Sequence, residues 1–371
     1  MENTEQYDFT SVEKMILENI EKRTFPSASM IIANQSKILF EKAYGTLTYD
    51  DKTPATLDTI YDCASLTKII ATTPCLMKLY DEGKYKLDDP IVKYIPEMNN
   101  NGKEDITILN LMIHNAGLKA FSLFYETCTE RKEVLEAIYT SKKEYETGTK
   151  TVYSDYGFIL LGEMIERITG QKLSEYAQKN IFDPLGMTQT WYNPSESLYH
   201  RIAPTEVDDY WRKRLVHGTV HDETCQILGG ATGHAGLFSV AKDVHKYFSM
   251  LLNNGVYYDK DGKECRLIKE ETVKLFTTCW TEGINYPNSR ALGFDTKPSP
   301  PDWGPPCGYK FSNNSFGHTG FTGTSAWADK EKNLIVIILT NAVHPSRNIN
   351  RRALFDFRTT VHDEICKCMG Y

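Results

Sequence analysis

Ser65 and Lys68, three residues apart in "CASLTKIIATTPCLM" (63–77), are the first residues whose spacing could do chemistry. Positions three apart on a helix are neighbours. Leu66, Ile69 and Ile70 turn the segment inward, so an ammonium there costs free energy unless it is paired or neutral. Two readings of Lys68 stay open. It can snorkel to the surface, or it can take the proton of a serine that needs a base to become a nucleophile. Lowering a free lysine from a pKa of about 10.4 to ~7 corresponds to about 4–5 kcal/mol in favour of the neutral amine. A serine at a helix N-terminus also feels the positive end of the helix dipole. The same spacing recurs in "SVEK" (11–14) and "SVAK" (239–242). There Lys14 faces water from an N-terminal helix and Ser239 helps start a helix, so neither is given a chemical role.

The elements around Ser65 follow from pattern. Val12, Met15, Ile16 and Ile20 at helical spacing predict an amphipathic helix over 9–22. "ASMIIAN" (28–34) and "KILFEKAYG" (37–45) read as two strands joined by a short turn. The Ser65 helix should end at Gly83, with Pro74 kinking it or replacing one turn. Further helices are expected at 157–170, 174–182 and 243–255. "FGHTG", "TSAWADK" and "NLIVIILTN" read as successive strands, and an amphipathic helix over about 348–368 closes the chain. Strands at both ends and helices between predict an α+β fold. An antiparallel sheet domain (1–62 and 231–371), flanked by the terminal helices, would face a mostly helical domain (63–230) across a cleft. "KPSPPDWGPPCGY" (297–309) is too rich in proline for regular structure and reads as a loop at the cleft rim.

Composition narrows the function. The chain has 371 residues, 41% hydrophobic and 25% charged, with a net charge of −7, which gives no general attraction to nucleic acid or an anionic membrane. "MENTEQYDFTSVEKMIL" has no basic start with an apolar run behind it, and "LIVIIL" (334–339) is too short to span a bilayer. A cytoplasmic protein is the resulting expectation. Nine cysteines without framework spacing read as reduced thiols, and "CKC" (366–368) has no second Cys/His pair nearby.

Two later segments complete the pattern: "YSDYGFILLG" (153–162) and "FGHTGFTGTSAWAD" (316–329). Ser-x-x-Lys followed by two such motifs resembles the serine β-lactamases and penicillin-binding proteins. The order and placement are similar to the class C branch, with its DD-peptidases and esterases. Tyr153-Ser154-Asp155 stands where the family has Tyr-x-Asn, and His318-Thr319-Gly320 where it has Lys-Thr-Gly or His-Thr-Gly. "ITILNLMIHNAGL" (106–118), "VHDETCQILGGATGHAGLFSVAKDV" (220–244) and "LTNAVHP" (339–345) also resemble family segments, so the likeness covers most of 27–345.

The resemblance implies roles. Ser65 is the nucleophile of an acyl-enzyme, and Lys68 and Tyr153 share the proton work. Either Lys68 is the neutral base, or Lys68 is charged and holds Tyr153 as a phenolate; the sequence does not choose. The N–H groups of Ser65 and Phe321 form the oxyanion hole. Asp155, His318, Thr319 and Gly320 meet substrate. Two departures matter. His318 replaces a common lysine and keeps a donor of uncertain charge. Asp155 replaces an amide with a group that only accepts, which disfavours β-lactams and leaves room for an amine or hydroxyl near the scissile bond. Asp155 could equally brace Lys68 or a helix end.

His217, His221, Asp222 and Glu223 invite a metal reading, but Gly218, Thr219 and Val220 argue against a shared helix face, and relatives work without metal. No cofactor and no metal site are expected. His234 is read as structural and His114 as a packed turn residue. The leading expectation is a metal-independent serine hydrolase acting on small esters, amides or lactams, an esterase or amidase foremost. A non-catalytic or slowly turning over penicillin-binding-like sensor or scaffold is the alternative from another class. A true β-lactamase or D-Ala-D-Ala carboxypeptidase is the alternative within the family. The specificity pocket is expected from 119–150, 190–215 and 283–315.

Overall fold

The computed structural model describes residues 7–281, 289–297, 304–348 and 350–371. Its main sheet has six antiparallel strands: β1 (Ser27–Ala33), β2 (Ile38–Gly45), β3 (Asp295–Thr296), β4 (Ser315–Thr319), β5 (Ser325–Asp329) and β6 (Leu334–Thr340). Their order is β3-β4-β5-β6-β1-β2. The two chain ends meet at the β1–β6 pair, in register from Ala28 opposite Thr340 to Ala33 opposite Ile335. Both strands are buried along their whole length because both faces of the sheet are covered. Met30, Ile32, Val336 and Ile338 pack under helix α1 (Thr10–Glu21) and the C-terminal helix (Arg351–Cys368). Ile31, Ala33, Ile335 and Ile337 face the larger core that holds the middle helices.

The helix carrying the serine–lysine pair runs from Leu66 to Asp81. Its turn Lys68–Thr72 is widened to π geometry, and regular α-helix resumes at α2 (Thr73–Asp81). Pro74 has no N–H to give, which favours a departure from the regular ladder at this point. The carbonyl of Lys68 then accepts both the N–H and the hydroxyl of Thr73. Gly83 follows with φ +67, the left-handed conformation expected of it.

The helix α3 (Asp155–Thr169) lies against this turn, and its Gly162 lets the backbone come close: a Cβ there would meet the Gly233 nitrogen at 2.8 Å. The expected helix over 174–182 begins as Leu173–Ala177 and widens into another π turn. The helix expected over 243–255 is α4 (Ala241–Leu252), and the closing helix is α5 (Arg351–Cys368). Ser239 corrects one expectation. It ends a short strand (Leu237–Ser239), bonds Thr190, and leaves the N-cap to Val240. Lys14 does face water. All nine cysteines are free. Among the described residues no helix is long and apolar enough to cross a membrane.

Candidate active site

The residue before the serine is held in an unusual backbone state. Ala64 has φ +45, and its N–H donates to the buried Asp62 carboxylate at 2.8 Å. Non-glycine residues avoid this region unless the surroundings enforce it. Here they do. Asp62 also accepts the His221 N–H at 2.7 Å. The Thr322 hydroxyl donates to the Asp62 carbonyl at 2.8 Å, and Thr324 donates to the Cys63 carbonyl at 3.1 Å. The turn between β4 and β5 is thereby tied to the entry of the Ser65 helix. Gly320 sits in the contact: a Cβ there would meet Thr324 Oγ1 at 2.1 Å and the Cys63 oxygen at 2.7 Å. Two N–H groups on either side, those of Ser65 and Phe321, have no acceptor among the described residues.

Lys68 does not snorkel. It is completely buried, and its Nζ lies 3.1 Å from Ser65 Oγ, 2.7 Å from Asp155 Oδ1 and 3.1 Å from the His234 carbonyl. Tyr153 Oη donates to Ser65 Oγ at 2.7 Å. Asp155 is the first residue of α3, so its carboxylate also suits the positive end of that helix.

Burial opposes charge on Lys68, but Asp155 and Tyr153 outweigh it and hold the amine above its ordinary range. Burial pushes the Tyr153 phenol up, and Lys68 only partly offsets this. The resting site therefore holds an ammonium at 68 and a neutral phenol at 153.

Tyr153 stands between two imidazoles, with ring centres at 4.7 Å for His114 and 5.7 Å for His318. Burial holds both imidazoles well below the usual histidine pKa, so both are neutral. His114 accepts the Ser154 N–H at 3.0 Å, the hydrogen-bonded turn role expected of it. His318 places Nδ1 2.7 Å from the Thr319 carbonyl, which can only accept, so the donor credited to His318 is spent within its own strand. Arg290 pairs with Asp295, and its guanidinium carbon is 5.4 Å from the Tyr153 ring centre.

A cavity of about 390 Å³ opens above Ser65. Tyr153, Asp155 and Phe321 line it, whereas His318, Thr319 and Gly320 are not among its lining residues. Residues 120–125 form part of the wall, as expected of the segment 119–150. None of 190–215 lines it; within 283–315, residues 283–288 and 298–303 lie outside the described residues, as does that part of the proline-rich 297–309 segment.

Sequence reasoning missed the opposite wall, made by His221 to Thr224, His234 and Arg347. The residues weighed for metal are committed to other partners. His221 Nε2 is 2.9 Å from Glu206 Oε2, and His217 bonds the Tyr199 and Ile202 carbonyls. Arg347 reaches both Glu206 and Glu223 at 2.6 Å. His234 places Nε2 3.0 Å from Asp222 Oδ1. The density of acids and histidines in "VHDE" was the available signal, but its partners Glu206 and Arg347 are distant in sequence.

The family model of the beta-lactamases matches residues 12–359. This chain belongs to the beta-lactamase family. It is a hydrolase of that family, and similar curated relatives carry peptidase names. A putative D-alanyl-D-alanine carboxypeptidase of Escherichia coli K12 is 33% identical over 364 residues, covering 88% of this chain and 82% of the relative. One from Salmonella agona SL483 is 32% identical over 356 residues, covering 86% and 79%. Solved structures share the β-lactamase/transpeptidase-like fold. The octameric penicillin-binding protein homologue of Pyrococcus abyssi has a TM-score of 0.71 at 23% identity, covering 94% of this chain and 76% of its own. EstCE1, a hydrolase with promiscuous acyltransferase activity, has a TM-score of 0.74 at 18% identity, covering 95% and 97%.

Proposed function

We propose that this beta-lactamase-family hydrolase is an esterase or amidase that works through an acyl-enzyme on Ser65. The carrying observation is the convergence of three groups: Ser65 Oγ lies 2.7 Å from Tyr153 Oη and 3.1 Å from Lys68 Nζ on the floor of a cavity. The scissile carbonyl carbon meets Ser65 Oγ, and its oxygen lies toward the N–H groups of Ser65 and Phe321. The charge state at rest bears on the order of proton moves. As Ser65 Oγ bonds to carbon, its proton passes to Tyr153 Oη, 2.7 Å away, while the Tyr153 proton passes to the leaving oxygen or nitrogen, whose bond to carbon breaks. The Lys68 ammonium, held by Asp155, stays charged and steadies the anionic oxygen between them. In deacylation water gives its proton back along the same groups.

Asp155 separates ester or amide cleavage from β-lactam cleavage. One carboxylate oxygen is held by Lys68, and the side chain, 26% exposed, still lines the cavity. Where relatives offer an amide donor to a lactam side chain, this site offers an acceptor. The test is a panel of short-chain p-nitrophenyl esters and nitrocefin, each run against Ser65→Ala. Ester cleavage should exceed nitrocefin cleavage and vanish in the variant. The reverse ranking would overturn the use made of Asp155.

A further inference from the structure

The turn that offers the Phe321 N–H is gripped by the closing helix. Arg358 of α5 is buried, and its Nη2 donates to the Gly320 carbonyl at 3.0 Å and to the Thr324 carbonyl at 2.9 Å. The turn also closes on itself through the same carbonyls. The Gly320 N–H donates to the Thr324 oxygen at 2.7 Å, and the Gly323 N–H to the Gly320 oxygen at 3.1 Å. Seven residues before Arg358, Arg351 lays its guanidinium over the Phe321 ring, 4.0 Å from its centre. Positions seven apart share one face of a helix. One face of α5 therefore holds both the ring and the backbone of this turn.

The charge on Arg358 has no counter-ion. Burial and the neighbouring Arg351 both push its guanidinium down, to about 9, which leaves it positive at neutral pH, and no carboxylate among the described residues offsets them. Its Nε is buried without a partner. A lone buried cation costs free energy that an apolar side chain of similar volume would not. Its field reaches the site, since after burial and the charges of Lys68 and Arg290, Arg358 helps to hold the His318 imidazole neutral. The Gly320 carbonyl and the Phe321 N–H are the two ends of one planar trans peptide and point opposite ways. A cation on the oxygen draws electron density from the nitrogen and makes that N–H a stronger donor, as linked hydrogen bonds strengthen one another.

We propose that Arg358 is the positioning residue of the oxyanion site: it fixes and polarises the Gly320–Phe321 peptide, so that the Phe321 N–H binds the anionic oxygen of the tetrahedral intermediate better than the neutral carbonyl of the substrate. This rests on the acyl-enzyme reading of Ser65 and adds to it a group that never touches substrate. Help given to the intermediate and withheld from the ground state appears in kcat rather than in KM. A residue that only braced the fold would change stability and leave both constants of the folded enzyme alone.

The experiment compares the parent with Arg358→Met, neutral and of similar bulk, and with Arg358→Lys, which keeps the charge on a shorter arm. Rates are expressed per folded molecule, with the folded fraction taken from near-ultraviolet circular dichroism. The readouts are kcat and KM for p-nitrophenyl acetate and the Ki of phenylboronic acid, whose tetrahedral adduct on a serine carries the oxyanion. In Arg358→Met, kcat should fall about tenfold, less than the ~10²–10³ that losing an oxyanion donor outright costs, with KM changed by less than about twofold. Ki should rise by the factor by which kcat/KM falls. Arg358→Lys should lie between the parent and Arg358→Met, and it decides the matter by the same comparison if the methionine variant does not fold. Unchanged kcat and Ki in a folded variant, whatever its melting temperature, or a loss carried wholly by KM, would overturn this proposal and leave the serine hydrolase standing. Turnover at the parental rate in Ser65→Ala, or a parent with neither turnover nor a fluorophosphonate label on Ser65, would overturn both.

Discussion

Replacing Asp155 by asparagine removes one charge at nearly constant size, and its cost follows from the surroundings of Lys68. The ammonium is fully buried and has three acceptors, of which only Asp155 is charged. Two responses compete. An ammonium that stays charged without its partner costs about 3–5 kcal/mol. A lysine that releases its proton at pH 7 costs about 1.36 × (10.4 − 7), near 4.6 kcal/mol, relative to the unfolded chain where it is charged. The cheaper response sets the penalty, so Asp155→Asn should lose roughly 3–5 kcal/mol at pH 7, nearer the lower figure because the carboxylate is partly wetted. The sign with pH is fixed by the direction of the shifts. In the parent, the Lys68 pKa is raised, so its contribution is full below about 10.4 and is lost only above that. In the variant it is depressed, so stability is regained as pH climbs toward 10.4. Urea unfolding followed by tryptophan fluorescence at pH 7 and at pH 9.5 should show a gap that narrows at the higher pH. A variant within about 0.5 kcal/mol of the parent at both values would refute the pairing.

Tyr153→Phe keeps the ring between His114 and His318 but removes the group that protonates the leaving atom; kcat should fall about 10²–10⁴-fold in steady-state ester assays while the melting temperature changes little. His362 is buried with its pKa pushed down to about 4, so it adds stability above about 6.5 that is lost as pH falls toward 4. Urea titrations between pH 7.5 and 5 should show about 2 kcal/mol of loss that His362→Gln removes. Gly320→Ala should abolish esterase activity, because its Cβ would push on Thr324 and the Cys63 carbonyl and shift the Phe321 N–H; a variant with parental kcat would show that this contact does not set the oxyanion site.

Much of the frame was legible because it follows local rules. The strands β1 and β6 and the left-handed stop at Gly83 are read directly from residue types. The convergence of Ser65, Lys68 and Tyr153 was legible through motif spacing, since Ser65 and Lys68 share one turn and Tyr153 and Asp155 stand at the start of the helix beside it. The electrostatic state was not. Whether Lys68 is charged depends on Asp155, 87 residues away in sequence and 2.7 Å away in space. The role of His318 depends on a carbonyl of its neighbour, and burial decides its charge. Arg347 was invisible because its partners Glu206 and Glu223 are brought to it only by the packing of distant loops.

The most direct test of the central claim is mass spectrometry of the protein after brief exposure to an activated ester at neutral pH. A single acyl group should appear on the peptide carrying Ser65, disappear as the ester is consumed, and be absent from Ser65→Ala. An adduct on any other residue, or turnover of the ester by Ser65→Ala at the parental rate, would contradict the account.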